Sequence, residues 1–361
     1  MKNNFLNKLN QRKLNGTLRK FDVFDDGVDF FSNDYIGFSN KSYSLNISGS
    51  SGSRLLSGNS NAAIESEKKL AEFYNSENAL IYTSGYTANV GLISCLSSRH
   101  DLILYDEKVH ASIRDGVGLS KAKSFSFKHN SVSDLERQLK SNNNSNVFVL
   151  IESLYSMTGT FSDLVSICKL CESYNAYLIV DEAHSIGAFG DKGKGLCHKF
   201  NIHNRVFARV ITFGKSYGLM GAAVLSSNVT IEYLMNFSRS FIYTTALPSS
   251  IYRQIKENVF DPKINTLISK LQLNLNYFRC NFNHDSLISE SNSPIQIIQI
   301  GDNKNTALLS NEISDNGIIN KPIFYPTVPK DEECIRLCFH SFNSFKEIDL
   351  LIKCLDQYFK Y

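Results

Sequence analysis

RVITFGKSYGLMGAAVLSS, Arg209–Ser227, holds two short apolar runs on either side of a lysine boxed between glycines. Short apolar runs bounded by glycine and polar residues read as buried strands, so Lys215 falls at the tip of the first of them. The same pattern continues upstream in ALIYTS (79–84), LILYDE (102–107), KSFSF (123–127), VFVLIES (147–153) and AYLIVDEA (176–183). Between several of these runs lie helical patterns such as SDLERQLKS (133–141) and DLVSICKLCESYN (163–175). Strands that alternate with helices predict an α/β fold with a largely parallel sheet covered on both faces, and ligands then gather beyond the carboxyl ends of the strands.

The chain has 361 residues, room for roughly two domains at about 150 residues each. A large domain over 41–255 and a smaller α+β domain over 256–361 are expected, the latter marked by PIQIIQI, GIIN and ECIRLCFH. Residues 1–40 read as an amphipathic first helix, with Phe5, Leu6, Leu9 and Leu14 at helical spacing, and a segment that packs on the core. The tract KSNNNSN (140–146) reads as a loop. The formal charge is +3 with both signs interspersed, which gives no single-sign field for nucleic acid or a membrane surface. No apolar run approaches a membrane span. Eight cysteines are scattered without the spacing of a disulfide framework, as expected of a cytoplasmic protein. Cys168 and Cys171 form a CxxC with no second ligand pair at zinc-site distance, so they read as core residues and no metal is expected.

Four strand ends carry candidate chemistry. Ser84 and Gly85 precede a helix whose first amides can bind an anion. His110 lies on a loop after a strand, Asp181 ends an apolar run with His184 three residues on, and Thr212 and Lys215 end another. Alone, Ser84 and Gly85 are ordinary turn and cap residues, and a single histidine is an ordinary surface or core group. Asp181 is different, because a buried carboxylate requires a cation or hydrogen-bond donors. Together these residues permit an aromatic cofactor with a phosphate arm and a protonated ring nitrogen, but periodicity does not choose it over a nucleotide.

The strings SGSRLLSGN (51–59), SGYTANVGL (84–92), YDEKVHASIRDG (105–116), ESLYSMTGT (152–160), VDEAHSIGAFGDKGKG (180–195), TFGKSYG (212–218) and FIYTTALP (241–248) resemble, in order, motifs of the α-oxoamine synthases. These are pyridoxal-phosphate enzymes of the aspartate aminotransferase fold, and the likeness runs from about Asn33 to Arg336. It implies that Lys215 holds the cofactor and acts as base at the amino-acid Cα, that Asp181 pairs with the ring nitrogen, and that His110 stacks on the ring. His184, with Ser156 nearby, would meet the phenolic oxygen. Ser84, Gly85, Tyr86 and Thr212 would hold the phosphate, joined by Thr244 or Thr245 of a second subunit, so a homodimer is implied. Asn33 and Arg336 match positions that hold substrate, and Arg54 would order its loop or the interface. The likeness is best to the branch of the family that condenses L-alanine with a pimeloyl thioester, on coenzyme A or acyl carrier protein, in biotin biosynthesis. Sister enzymes that use glycine or serine with another acyl-coenzyme A keep the same cofactor residues. Transamination and a nucleotide-binding module are the other readings; the latter lacks GxGxxG and GxxxxGK[ST] loops here. Ser51 and Met220 depart from the family pattern and touch loop shape and acyl-chain fit.

Overall fold

The computed structural model describes residues 2–18, 26–41, 49–142, 146–290 and 292–360. Part of the expected 140–146 loop therefore lies outside the described residues. Seven strands form the central sheet: β1 (Asn78–Tyr82), β2 (Leu102–Asp106), β3 (Lys123–Phe127), β4 (Val147–Glu152), β5 (Tyr177–Asp181), β6 (Ala208–Thr212) and β7 (Ala222–Ser226). Their spatial order is β1-β7-β6-β5-β4-β2-β3. All neighbours are parallel except β7, which runs antiparallel to β1 and β6. The carboxyl ends of the six codirectional strands therefore share one edge, and the β6–β7 connection that carries Lys215 turns over at that edge.

Burial explains the composition of the strands. Every residue of β4, β6 and β7 is buried, because helices cover both faces of a parallel sheet. Alternate side chains serve opposite cores: Val210 and Val224 join Leu80, Leu92, Ile113, Leu150 and Ile179 on one face. Ile211 and Leu225 join Phe38, Leu70, Phe213, Tyr217 and Ile255 on the other. Each such side chain contributes roughly 1.5–3 kcal/mol by leaving water. Edge strand β3 has mostly exposed side chains and correspondingly polar positions.

The chain divides into two compact units. One is Asn33–Ser156 with Thr160–Ser269 and holds the seven-stranded sheet. The other takes Met1–Ser32, Met157–Gly159 and Lys270–Tyr361. Within it Cys334–Cys338 pairs antiparallel with Ile295–Gln299 and Pro322–Ile323, and Val28–Asp29 pairs parallel with Ile318–Ile319. Asn343 and His340 bond the Asp29 carbonyl at 3.0 and 3.1 Å, which ties the early segment to the late one. A helix forms at Lys2–Leu14, and Phe5, Leu6, Leu9 and Leu14 on it are exposed.

All eight cysteines are free. Cys168 and Cys171 are buried on the helix Leu164–Ser173, and burial pushes the Cys171 thiol up to about 12. Among the described residues no helix is long and apolar enough to cross a membrane, and no group of three or more His, Cys, Asp or Glu is placed to hold a metal ion.

Candidate active site

After β1 the chain turns directly into the helix Gly85–Leu96. Ser84 caps it: its hydroxyl accepts from the Thr87 amide at 3.1 Å, and the Thr87 hydroxyl accepts from the Ser84 amide at 3.1 Å. That box satisfies the third turn position, while the amides of Gly85 and Tyr86 point along the axis with no acceptor inside the helix. The positive end of the helix dipole adds to an anion seat there. Only glycine fits at position 85, because a Cβ would stand 2.7 Å from Cγ2 of Thr212 at the end of β6. Tyr86 is half exposed, and its hydroxyl donates to the Asp115 carboxylate.

Asp181 is the last residue of β5 and is buried. One of its oxygens accepts from the Ala183 amide at 2.8 Å and the other from Asn89 Nδ2 at 2.7 Å. The same Asn89 nitrogen reaches Ser112 Oγ at 3.0 Å. Neutral donors thus fix both oxygens of the carboxylate. His110 caps the helix Ala111–Leu119, with Nδ1 accepting from the Ser112 amide at 3.2 Å and lying 2.8 Å from the Ser112 hydroxyl. Burial lowers its basicity, Asp181 opposes that shift and Lys215 reinforces it.

Glu152 ends β4 and takes the His110 amide at 2.5 Å. Burial raises its carboxyl to about 8, Asp181 adds to the rise, and Lys215 with the backbone amides of His110 and Ser156 opposes it. His184 Nδ1 lies 2.7 Å from the hydroxyl of fully buried Tyr35, which in turn reaches Asn33 Oδ1 at 3.3 Å.

Lys215 sits on the tight β6–β7 connection. Phe213 N bonds Gly221 O at 2.9 Å, Leu219 N bonds Phe213 O at 2.8 Å and Gly218 N bonds Lys215 O at 2.8 Å. Gly218 has φ 61°, and a side chain there would strike the backbone of Ser39 at 2.3 Å. The glycines around the lysine therefore close a rigid loop that holds its backbone in one place.

Ser84, Gly85, Tyr86, His110, Asp181, His184, Thr212 and Lys215 line one cavity of about 430 Å³, with Glu152, Asn89, Ser112 and Met220 also in its wall. Its volume falls within the usual range of small-molecule sites, about 300–1,000 Å³. Asn33 stands two hydrogen bonds behind His184, by way of Tyr35, and Ser156 meets the cavity through its amide on Glu152. Thr244 and Thr245 line a small separate cleft with Arg54, and Thr245 bridges to Ser53. Arg54 makes a bidentate pair with Glu67 at 2.8 and 2.9 Å. Arg336 belongs to the other unit, buried on the strand Cys334–Cys338, with Nη1 3.0 Å from Cys338 Sγ.

Glu152, Asn89, Ser112 and Tyr35 were not anticipated from sequence. Glu152 carried the same signal as Asp181, an acid at the end of an apolar run. Asn89 and Tyr35 carried none, since one is inside a helix and the other in a segment before the sheet.

The chain matches the family described as aminotransferase class I and II over residues 25–353. The 8-amino-7-oxononanoate synthase of Emericella nidulans is 35% identical, over 91% of this chain and 88% of that one. The crystal structure of 8-amino-7-oxononanoate synthase from Francisella tularensis is 30% identical, with a TM-score of 0.77 over 94% of this chain and 99% of that one. A serine palmitoyltransferase from S. paucimobilis has a TM-score of 0.90 over 99% of this chain and 98% of that one, at 23% identity, a likeness of fold. The chain therefore belongs to the class I and II aminotransferase family and, within it, to the α-oxoamine synthases.

Proposed function

We propose that the chain condenses L-alanine with a pimeloyl thioester, carried by coenzyme A or acyl carrier protein, with loss of carbon dioxide. The products are 8-amino-7-oxononanoate and the free thiol. The observation that carries this reading is the single cavity in which a strand-end lysine, an oriented buried carboxylate, two histidines and a helix amino terminus meet.

The cavity fits pyridoxal 5'-phosphate by its donor set. Gly85 and Tyr86 amides, with Ser84 and Thr212, supply an anion seat made by the absence of a side chain at position 85. Asp181, held on both oxygens, supplies the partner for a ring-nitrogen proton. The ring, when bound, supplies an electron sink for the pair left at the amino-acid Cα.

The chain's own residues then supply the rest. Lys215 would hold the cofactor, and its amine would take the Cα proton of the amino acid and later return one. Its backbone cannot drift, because the Phe213–Gly221 loop is closed by its own amides. His110, in the cavity wall, would cover the ring face and exclude water from it. His184, bonded to Tyr35, would meet the phenolic oxygen, with Ser156 close by. Asn33 would hold substrate, and Arg336 would be suited to a carboxylate as a bidentate donor. Thr244 or Thr245 of a second copy would complete the phosphate seat, which makes the working form a homodimer.

The purified protein is tested by carbon dioxide release and product mass with L-alanine, glycine and L-serine. Each is offered with pimeloyl-coenzyme A and palmitoyl-coenzyme A, beside Lys215→Ala. Product from alanine and the pimeloyl thioester alone, abolished in Lys215→Ala, is expected. Preference for serine with palmitoyl-coenzyme A would keep the cofactor and move the chain to a sister activity, and full turnover by Lys215→Ala would refute the mechanism.

A further inference from the structure

Glu152 closes β4 and Asp181 closes β5, and the two are register partners on parallel neighbours. Register partners project from the same face of a sheet, so two carboxyl groups stand side by side in the cavity wall. Both are buried, with 3% and 6% of their surface exposed. Two ionised carboxylates so placed repel each other, and burial penalises each charge separately.

The surroundings offer little to neutralise them. Among the described residues, the titratable groups that act most on Glu152 or respond to it include Asp181 on β5, Lys215 beyond β6, His110 beyond β2, and Tyr155 in its own loop. Of these Lys215 is the one ordinary cation, and the reaction engages it. Burial lowers the basicity of His110. Asp181 has a donor on each oxygen and is the proposed partner of the ring nitrogen. Glu152 instead accepts the His110 amide at 2.5 Å and the Ser156 amide, and so joins the loop after β2 to the loop after β4. A protonated carboxyl keeps a carbonyl oxygen that accepts such bonds.

We propose that Glu152 is a positioning residue that carries a proton at neutral pH and holds the His110 and Ser156 loops by their backbone amides beside Asp181. This deepens the cofactor reading above, since it keeps a second buried charge away from the carboxylate proposed to meet the ring nitrogen. The protonation itself belongs to the protein without cofactor and is read there.

Infrared difference spectra of the cofactor-free protein between pH 6.5 and 9.5 provide the test, with Glu152→Gln as the comparison. The wild type is expected to show the carbonyl stretch of a protonated carboxyl that disappears as pH rises through about 8, and Glu152→Gln to lack it. Absence of that band in the wild type at pH 6.5, or its persistence in Glu152→Gln, overturns the proposal whatever the enzyme's reaction proves to be. In the loaded enzyme, Glu152→Gln keeps the shape and acceptor of the neutral acid, so it is expected to retain most of the kcat at pH 7 that Glu152→Ala loses. Glu152→Ala loses the tether, and its kcat is expected to fall tenfold or more with the cofactor still bound. A Glu152→Gln loss as large as the alanine loss, in a protein with unchanged thermal unfolding, would show that the negative charge is needed and refute the proposal.

Discussion

Gly85→Ala is the sharpest perturbation of the anion seat. The new Cβ would lie 2.7 Å from Thr212 Cγ2, about 0.7 Å inside the 3.4 Å edge of ordinary contact. Thr212 cannot swing aside cheaply, since it is buried on the strand and its hydroxyl bonds the Ala183 carbonyl at 3.3 Å. Overpacking of this kind costs roughly 1–3 kcal/mol, met by a shift of the helix start away from β6. The amides that would hold the phosphate move with it, and charge-assisted bonds of about 1.5–3 kcal/mol each weaken. An affinity loss of about 10–100-fold for pyridoxal phosphate follows at about 1.4 kcal/mol per tenfold. Absorbance titrations of the cofactor-free protein measure it, with pyridoxal as the control that lacks the phosphate. Thr212→Ser removes Cγ2 but keeps the hydroxyl, so Gly85→Ala/Thr212→Ser should recover most of the loss. A Gly85→Ala protein that binds pyridoxal phosphate within twofold of wild type, or one that loses pyridoxal equally, would refute the argument, as would failure of Thr212→Ser to compensate.

Three further outcomes are expected. Arg54→Ala leaves the Glu67 carboxylate buried with the Ile81 amide at 2.8 Å but without its bidentate partner, and a destabilisation of about 3–5 kcal/mol is expected in urea unfolding; Arg54→Met/Glu67→Leu should regain most of it. Tyr35→Phe removes the 2.7 Å bond to His184, worth about 1 kcal/mol, so turnover should fall about fivefold with little change in thermal unfolding, and an unchanged rate would dissociate Tyr35 from the site. Burial lowers His198 to about 4, with the Tyr74 carbonyl opposing and Arg209, His203 and Lys194 adding to the shift. Its native value is depressed, so its contribution to stability is complete above about 6.5, the value of a free histidine, and is lost as pH falls through about 4. Urea midpoints measured from pH 7 to 4 should fall less steeply in His198→Gln than in the wild type, and parallel curves would contradict the assignment.

Much of the site was legible because a sheet buried on both faces writes each strand as a continuous apolar run. The polar residue that follows such a run is at the sheet edge by construction. Asp181, His110, Lys215 and Gly85 all announce themselves in that way. Glu152 obeyed the same rule, yet no neighbouring motif residue singled it out. Asn89 was invisible, because its contact with Asp181 depends on how the helix Gly85–Leu96 is rotated against β5, a tertiary fact. The placement of antiparallel β7 between β1 and β6 was hidden for a related reason: the pairing of β1 with β7 joins segments far apart in sequence, and local pattern does not specify it. Arg54 was expected to order its loop or the interface, and the structure shows the local partner, Glu67, that orders it.

The acids at the strand ends explain how the cavity keeps its charge. Asp181 is held by Ala183 N and Asn89 Nδ2, and Glu152 by His110 N and Ser156 N. Asp106, at the end of β2, takes the amides of Lys108 and Asn130 at 2.8 and 2.9 Å as well as His129. The next acid along, Glu182, has buried Arg209 3.7 Å away, accepts from Cys197 N at 2.9 Å, and does not line the cavity that Asp181 lines. The dipeptide Asp181–Glu182 thus divides its labour: one carboxylate is placed by neutral donors and stays available to a cation, while the other meets a cation built into the fold. An arginine beside Asp181 would fix the carboxylate equally well, but it would cancel the field that a protonated ring nitrogen requires. Backbone amides and an asparagine orient the group without that cost, so the proposed reaction would depend as much on Asn89 and the turn at Ala183 as on Asp181 itself.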